Sequence, residues 1–356
     1  MNKKMKVGVI GLGGMGRYTH VPALLELPEI EIAAICDIVE SKFKPAEDLI
    51  GKPVAKYTDY NNLLDDNVVD AVHICTPNYL HSVIAVAALK KGAHVFCEKP
   101  DAVSVAEAEK MKAAADASGK VLMVMRNNRH VPASKYLKDK IENGDFGDLY
   151  CGRCGWTRRR GIPGKGGWFT SKSQSGGGPL IDLGVHLIDL SIYLMGNPRA
   201  VSVSGSVYNK FAECSDISDS EHSKFGEKVE GGTFDVEDLA IGFIKFENGA
   251  SLQIEFSWAS NIEEERAFSE IRGAKAGFTW ENGKCRIFGE ENGLLTNSAP
   301  IVSDAYGNGH AKNIRHFYDV IAKRSKPDYT IEQGINVIKI LQAVYKSAEL
   351  NREILL

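Results

Sequence analysis

The sequence predicts an α/β protein. It reads as a Rossmann domain over residues 1–125, followed over 126–356 by an α+β domain with a large open, mostly antiparallel mixed sheet. Three observations carry this. The first third alternates short all-apolar runs with helical patterns, as parallel strands covered on both faces do. A glycine fingerprint, Gly11-Leu-Gly13-Gly14-Met15-Gly16, stands between the first apolar run and the first helical pattern. After about Arg126 strand-like runs follow one another, with a hairpin signal, Glu247-Asn-Gly-Ala250, between two of them.

In order, residues 6–10 form a strand, and a helix opens near Gly14 and continues over 20–27. A strand over 31–36 and a polar helix over 40–50 follow, then a strand over 71–76 and an alanine-rich helix over 79–91 that ends at Gly92. A strand at 93–97 precedes a helix at 104–118, with Ser104 as N-cap and Gly119 just past its end. The strand 121–125 closes the series. The second half opens with a helix over 131–142, ended by Asn143-Gly144. It continues with a strand over 149–159, a glycine-rich loop over 161–178 and a helix over 180–195. Strands are expected at 200–208, 236–247, 250–259, 267–271, 277–280 and 284–288, and helices at 311–323 and 331–350. Residues 211–235 are polar, acidic and aperiodic, and read as an exposed, mobile loop.

A chain of 356 residues suits two domains of roughly 150 residues each. The 43 Lys and Arg against 46 Asp and Glu leave a formal charge of −3, with no global field for nucleic acid or an anionic membrane. Hydrophobic residues at 44% and charged residues at 25% are ordinary globular values. The seven cysteines are odd in number and scattered, which suits a reducing compartment and a cytoplasmic protein. Cys151-Gly-Arg-Cys154 has no second pair at zinc-finger spacing, so no metal is expected. No apolar run reaches the ~18 residues of a spanning helix.

The fingerprint assigns each glycine a task. Gly11 makes a tight turn, Gly13 lets a pyrophosphate approach the backbone, and Gly16 lets helix and strand pack closely. The helix start offers free N–H groups to phosphate. Asp37, 21 residues past Gly16 at the end of the second strand, is placed for the adenosine ribose hydroxyls. A carboxylate there repels a 2′-phosphate, so NAD is expected over NADP. Two loops leave carboxyl ends of parallel strands, where open α/β sheets bind ligands: Thr76-Pro77-Asn78-Tyr79-Leu80-His81 and Cys97-Glu98-Lys99-Pro100. In Gly176-Gly177-Gly178-Pro-Leu-Ile-Asp182-Leu-Gly-Val-His186, the aspartate and histidine are four apart and share a helix face. A carboxylate beside an imidazole orients it for proton transfer. Singly, Lys99 reads as a surface lysine, Glu98 as a strand-end charge and His186 as a half-buried core histidine. Together they fall where a nicotinamide would lie.

These motifs resemble the Gfo/Idh/MocA oxidoreductases, named after glucose–fructose oxidoreductase and inositol dehydrogenase, over nearly the whole chain. The resemblance implies a tightly held NAD or NADP and sugar or cyclitol substrates oxidised at a secondary hydroxyl. It also implies an open sheet whose exposed face makes dimer or tetramer contacts. Lys99 matches the lysine that contacts the reacting hydroxyl, His186 the acid/base histidine, and Asp182 the aspartate that bonds substrate or that histidine. Gly14 and Met15 belong to the cofactor loop, Thr76 is expected among the cofactor-binding residues, and Pro77, Asn78, His81 and Glu98 match positions that line the nicotinamide and its ribose in the family.

On the substrate side, Trp156, Arg158-Arg159-Arg160 and Trp168 offer rings and forked donors to a sugar. On a strand only Arg158 with Arg160, or Arg159 alone, can face the site, and we take Arg158 and Trp168. Arg126, Asn127 and Arg129 are expected at the cleft entrance, one of them touching cofactor or substrate. The glycine-tryptophan loop resembles family members acting on pyranosides and anhydrosugars, including at ring carbon 3. The leading expectation is a sugar, glycoside or cyclitol dehydrogenase that is a homo-oligomer, because the run 236–259 carries Phe, Ile and Trp on its outer face. Two alternatives are an NAD-dependent glycosidase or lyase working by transient oxidation, and a non-enzymatic dinucleotide sensor. A sensor has no use for Lys99, Asp182 and His186 together.

Overall fold

The computed structural model describes residues 4–212, 225–302 and 308–356. It divides into two compact units, Met1–Met125 with His310–Ile335, and Arg126–Gly309 with Asn336–Leu356.

Among the described residues the first unit is built on six parallel strands. They are β1 (Met5–Ile10), β2 (Ile30–Cys36), β3 (Ala55–Tyr57), β4 (Ala71–Ile74), β5 (His94–Cys97) and β6 (Leu122–Val124), in the order β3-β2-β1-β4-β5-β6. This is the Rossmann order, with its switch point between β1 and β4. The inner strands are mostly apolar because helices cover both faces: every residue of β4 is buried, His73 included. The helix Val105–Ser118 starts and stops as its end residues dictate. The Ser104 hydroxyl accepts the Glu107 N–H at 3.2 Å, and Gly119 takes a left-handed φ of 64°. The sequence reading missed β3 and the helix Tyr60–Asp65, because β3 is a three-residue, largely exposed edge strand without an apolar run.

Where a single division was expected at residue 125, the segment His310–Ile335 joins the first unit. Ile314, Phe317, Tyr318, Tyr329 and Ile331 belong to the same buried cluster as the strands β1, β4 and β5.

Among the described residues the second unit holds nine strands. They are β7 (Leu149–Thr157), β8 (Ala200–Tyr208), β9 (Leu239–Phe246), β10 (Ser251–Ser257), β11 (Arg266–Gly273), β12 (Gly277–Glu281), β13 (Lys284–Glu291), β14 (Leu294–Ser298) and β15 (Ile354–Leu355). Their order is β14-β13-β12-β11-β7-β10-β9-β8-β15. Every pairing is antiparallel except β7 with β10. The hairpin signal closes β9 and β10 as expected, with Phe246 N–H donating to Ala250 O at 2.9 Å and Gly249 at a φ of 84°. The helix Val185–Leu194 packs on β7 and β11 and is apolar nearly all round. The stretch Lys172–Leu194 is long and apolar enough to cross a membrane, but it is mostly buried inside the protein as a core helix.

β7 ends at Thr157, so Arg158, Arg159 and Arg160 lie in the following loop and the strand alternation expected for them does not apply. Of the loop 211–235, residues 213–224 lie outside the described residues. Its described end is tied to the glycine-rich loop: Val229 N–H donates to Lys165 O at 2.9 Å, and Asp235 N–H to Thr170 O at 3.1 Å. Gly166 exists for this approach, since a Cβ there would lie 1.9 Å from Val229 O.

Candidate active site

In the first unit the fingerprint glycines have the surroundings their tasks require. A Cβ on Gly11, whose φ is +94°, would stand 2.5 Å from Cys75 O, and one on Gly16 would stand 2.0 Å from Gly11 O. Gly13 faces open space, with nothing within 4 Å of a Cβ position. Gly14 is exposed, and Gly13 and Met15 are half-buried. The loop is therefore closed at its two ends and open in the middle, which fits a pyrophosphate against the backbone. Asp37 is buried at the end of β2. Its Oδ2 accepts the Leu12 N–H at 2.8 Å and its Oδ1 the Val39 N–H at 2.9 Å. Lys42 Nζ lies 3.4 Å from both oxygens. The carboxylate thus braces the glycine loop, and a cation stands beside it that the sequence reading missed.

Thr76 and Pro77 are half-buried at the end of β4, and Asn78 is buried. His81 is fully buried, its Nδ1 lies 2.7 Å from Pro100 O and its Nε2 3.0 Å from Thr76 O. It clips the loop after β4 to the loop after β5. Burial lowers its pKa, against the two carbonyls and Glu98.

Glu98 is buried, its Oε1 2.8 Å from His20 Nε2, and its Oε2 accepts the Lys99 N–H at 3.2 Å. Burial pushes this carboxyl up, but the His20 hydrogen bond and the charges of His20, His310 and Lys99 outweigh it and bring it to about 2. Lys99 is half-buried and its bond to Pro100 is cis. Asp101 is fully buried and accepts a hydrogen bond from the Tyr329 hydroxyl. The Glu98–Asp101 turn is therefore held in part by the returning C-terminal segment.

In the second unit the helical stretch after Gly178 has one feature that stands out. From residue 180 to 195 every residue is buried except Asp182 and His186, which are half-buried. The turn Leu180–Gly184 is π-helical, a widening common at functional sites. Asp182 Oδ2 accepts the indole N–H of Trp258 at 3.0 Å. The Trp156 ring lies 6.0 Å from that of His186, and the Arg158 guanidinium 5.3 Å over the same Trp156 ring. Burial lowers the Arg158 pKa, against the charges of Asp182 and Glu265. So Arg158, Trp156, Asp182 and His186 do come together, with Trp258 as a fifth member that the sequence reading put on the outer face of the sheet. Trp258 is fully buried instead.

Glu237 fixes the start of this stretch. Its carboxylate accepts the N–H groups of Gly178 at 3.0 Å and Leu180 at 3.1 Å, and the Tyr345 hydroxyl at 2.9 Å. The paired glycines allow it: a Cβ on Gly177 would lie 2.0 Å from Tyr345 Oη, and one on Gly178 2.0 Å from Glu237 O.

Other expectations are placed elsewhere. Trp168 stacks on Phe169 at 3.8 Å, with Phe169 edge-on to Phe225, so it packs within the double loop. Arg160 bonds Asn261 at 3.0 Å, and Arg159 N–H donates to Glu265 at 2.8 Å. Arg126 and Arg129 are buried, clamping Asp189 at 2.7–2.9 Å, and Asn127 bonds Asn128 at 3.1 Å. Burial raises the Cys154 thiol to about 12, against its bond to Ser191. Among the described residues no group of His, Cys, Asp and Glu is set to hold a metal.

A Rossmann sheet with an open glycine loop, joined to a unit that offers a carboxylate–imidazole pair, defines a dinucleotide-dependent oxidoreductase. The chain matches the GFO_IDH_MocA family, described as an oxidoreductase family with an NAD-binding Rossmann fold, over residues 5–126. It matches that family's C-terminal alpha/beta domain over residues 138–356. The chain belongs to this oxidoreductase family, and NAD is its cofactor. It is 31% identical to the D-glucoside 3-dehydrogenase of Escherichia coli (strain K12), over 97% of this chain and 95% of that protein. It is 28% identical to the levoglucosan dehydrogenase of Pseudarthrobacter phenanthrenivorans, over 97% and 96% of the two chains. The solved structure of a levoglucosan dehydrogenase in complex with NADH and levoglucosan shares the fold, with a TM-score of 0.86 at 24% identity and 99% coverage of both chains.

Proposed function

We propose that the protein oxidises a secondary ring hydroxyl of a sugar, glycoside or cyclitol, with a pyranoside oxidised at ring carbon 3 as the first candidate. The observation that carries this reading is the Asp182–His186 pair, the two half-buried residues on an otherwise buried helix stretch. Bound NAD supplies the hydride acceptor. His186 takes the hydroxyl proton, and Lys99 holds the reacting oxygen and shares the proton. Asp182, fixed by Trp258, orients substrate and imidazole, and Arg158 and Trp156 complete the sugar-binding surface. Cofactor binding is assigned to the first unit, and substrate binding and self-association to the second. The relatives named for D-glucosides and levoglucosan support the pyranoside. The odd number and scattered positions of the seven cysteines support a cytoplasmic setting.

The test is NADH absorbance with purified protein across D-glucosides, levoglucosan, inositols and sugar acids. Stoichiometric NADH with one class is expected. Cleavage or elimination without net NADH would favour the glycosidase or lyase alternative.

A further inference from the structure

Four buried polar side chains of the first unit form one unbroken hydrogen-bonded chain that the proposed chemistry does not use. It runs from Glu98 Oε1 to His20 Nε2 at 2.8 Å, from His20 Nδ1 to His73 Nδ1 at 2.8 Å, and from His73 Nε2 to the Tyr318 hydroxyl at 2.7 Å. All four side chains are buried, and Phe96 and Phe317 pack against the His73 ring at 5.2 and 6.0 Å. Buried polar groups in such surroundings are costly unless each is satisfied. The members come from the first helix, β4, the loop after β5 and the returning helix Gly309–Ile321, so the chain ties together four separate pieces of the unit.

The order of protons follows from chemistry. A carboxylate only accepts, so His20 presents N–H at Nε2. With His20 neutral, its Nδ1 accepts, so His73 Nδ1 donates and His73 Nε2 accepts from the Tyr318 O–H. Each of the three bonds then holds one proton and all donors point towards Glu98; with His20 charged, the two bonds beyond it reverse while its Nε2–H still donates to Glu98. Burial holds the His73 ring well below its usual pKa and the Tyr318 phenol well above, which keeps both neutral. Aligned donors of this kind polarise one another. The other Glu98 oxygen accepts the Lys99 N–H at 3.2 Å, so whatever fixes Glu98 fixes the peptide that carries Lys99.

We propose that His20, His73 and Tyr318 are positioning residues: they hold the Glu98 carboxylate in one orientation, and through it the backbone from which Lys99 reaches the reacting hydroxyl. The proposal rests on the reading of Lys99 given above. It concerns placement, since none of the three is a base or acid in the reaction.

Two experiments on the full-length protein test it. The first reads tautomers from ring ¹⁵N spectra of labelled histidine near neutral pH, assigned with His20→Gln and His73→Gln. His20 is expected with a proton on Nε2, and the facing Nδ1 atoms of His20 and His73 with one proton between them. A His20 ring without a proton on Nε2, or protons on both Nδ1 atoms, overturns the proposal. The second is kinetic, with the sugar that gives most NADH in the panel above. His20→Ala and Tyr318→Phe should lower kcat by about 10- to 100-fold, the scale of a small misplacement at the reacting centre, with the dissociation constant for NAD within threefold of wild type. His20→Gln, which keeps a donor towards Glu98, should recover most of the loss. An unchanged kcat in His20→Ala, or no recovery in His20→Gln, overturns the proposal. In a Lys99→Met background His20→Ala should cost nothing further, and a second full loss would overturn the route through Lys99. If no sugar yields NADH, or Lys99→Met keeps full kcat, the functional reading fails, while the tautomer result still decides the proton order.

Discussion

The Asp37 carboxylate accepts the Leu12 N–H at 2.8 Å and stands 3.4 Å from the Lys42 ammonium. Cofactor choice therefore depends on a pair of opposite charges rather than on the acid alone. A ribose 2′-phosphate would meet repulsion from Asp37 and attraction from Lys42, and the buried acid dominates. Asp37→Ser should narrow the preference for NAD by removing the repulsion, and should weaken NAD binding by freeing Leu12. Adding Lys42→Ala should take back the NADP activity gained, and kcat/KM for both cofactors measures this. At His186, loss of the imidazole should lower kcat by about 10²- to 10⁴-fold, the range for a positioned acid–base group, with NAD affinity nearly unchanged. If His186 only orients substrate, His186→Ala would instead raise KM and leave kcat within a few-fold. Glu98 carries a pH prediction. Its carboxyl is lowered to about 2 in the fold, while in the unfolded chain it titrates at about 4.3. Its contribution to stability is thus complete above about pH 4.3 and is lost as pH falls towards 2. Urea midpoints should fall less steeply over that window in Glu98→Gln than in wild type.

The helix that carries Asp182 and His186 owes its position to its first turn. Gly177 and Gly178 let Tyr345 and Glu237 come to 2.0 Å of a missing Cβ, and Glu237 then caps the stretch with two backbone bonds. Gly178→Ala has no room against backbone, so the helix start must shift. A loss of stability of about 2–4 kcal/mol is expected, together with a fall in kcat/KM of at least tenfold, read on the folded fraction. Thermal unfolding and steady-state rates measure the two effects. This element shows what the sequence makes legible. The glycine fingerprint, Lys99, Asp182 and His186 stand out in the sequence because a short spacing carries them. Strands β1, β2, β4 and β5 were found because each is an apolar run bounded by turn signals. Glu237, Trp258, Tyr345 and Tyr329 were missed because their partners lie 59, 76, 108 and 228 residues away in the chain. His73 did leave a signal, an imidazole inside the apolar run Ala71–Ile74 that demands a buried partner.

At the scale of the whole molecule, the segment His310–Ile335 returns to the first unit and contributes Tyr318 and Tyr329 to its interior, so neither unit is a continuous stretch of chain. Cutting the protein at residue 125 would remove part of the Rossmann core, and residues 1–125 alone should fail to fold cooperatively. The second unit presents the remaining question, because one face of its sheet is left uncovered. On β9 Ile241 and Phe243 are 39% and 37% exposed, on β13 Phe288 is 37% exposed, and on β14 Leu295, which shares the face of Phe288, is 89% exposed. Between them lies a charged ladder: Arg153 pairs with Glu270, and Arg266 with Glu281 at 2.7 Å, while the Arg266 guanidinium sits 4.6 Å over Phe268. Apolar residues interleaved with paired charges of both signs suit an isologous contact, in which the same patch meets itself. A patch of this kind on a monomer would expose several large side chains to water at a cost of about 1 kcal/mol or more each. The protein is therefore expected to be a homodimer or homotetramer through this face. Light scattering at micromolar concentration should give a multiple of 38.9 kDa. Phe243→Asp combined with Ile241→Asp should dissociate it without unfolding the strand, because both positions already point to solvent on β9. A wild-type mass of one chain, or an assembly that survives both aspartates, would show that this face is not the contact.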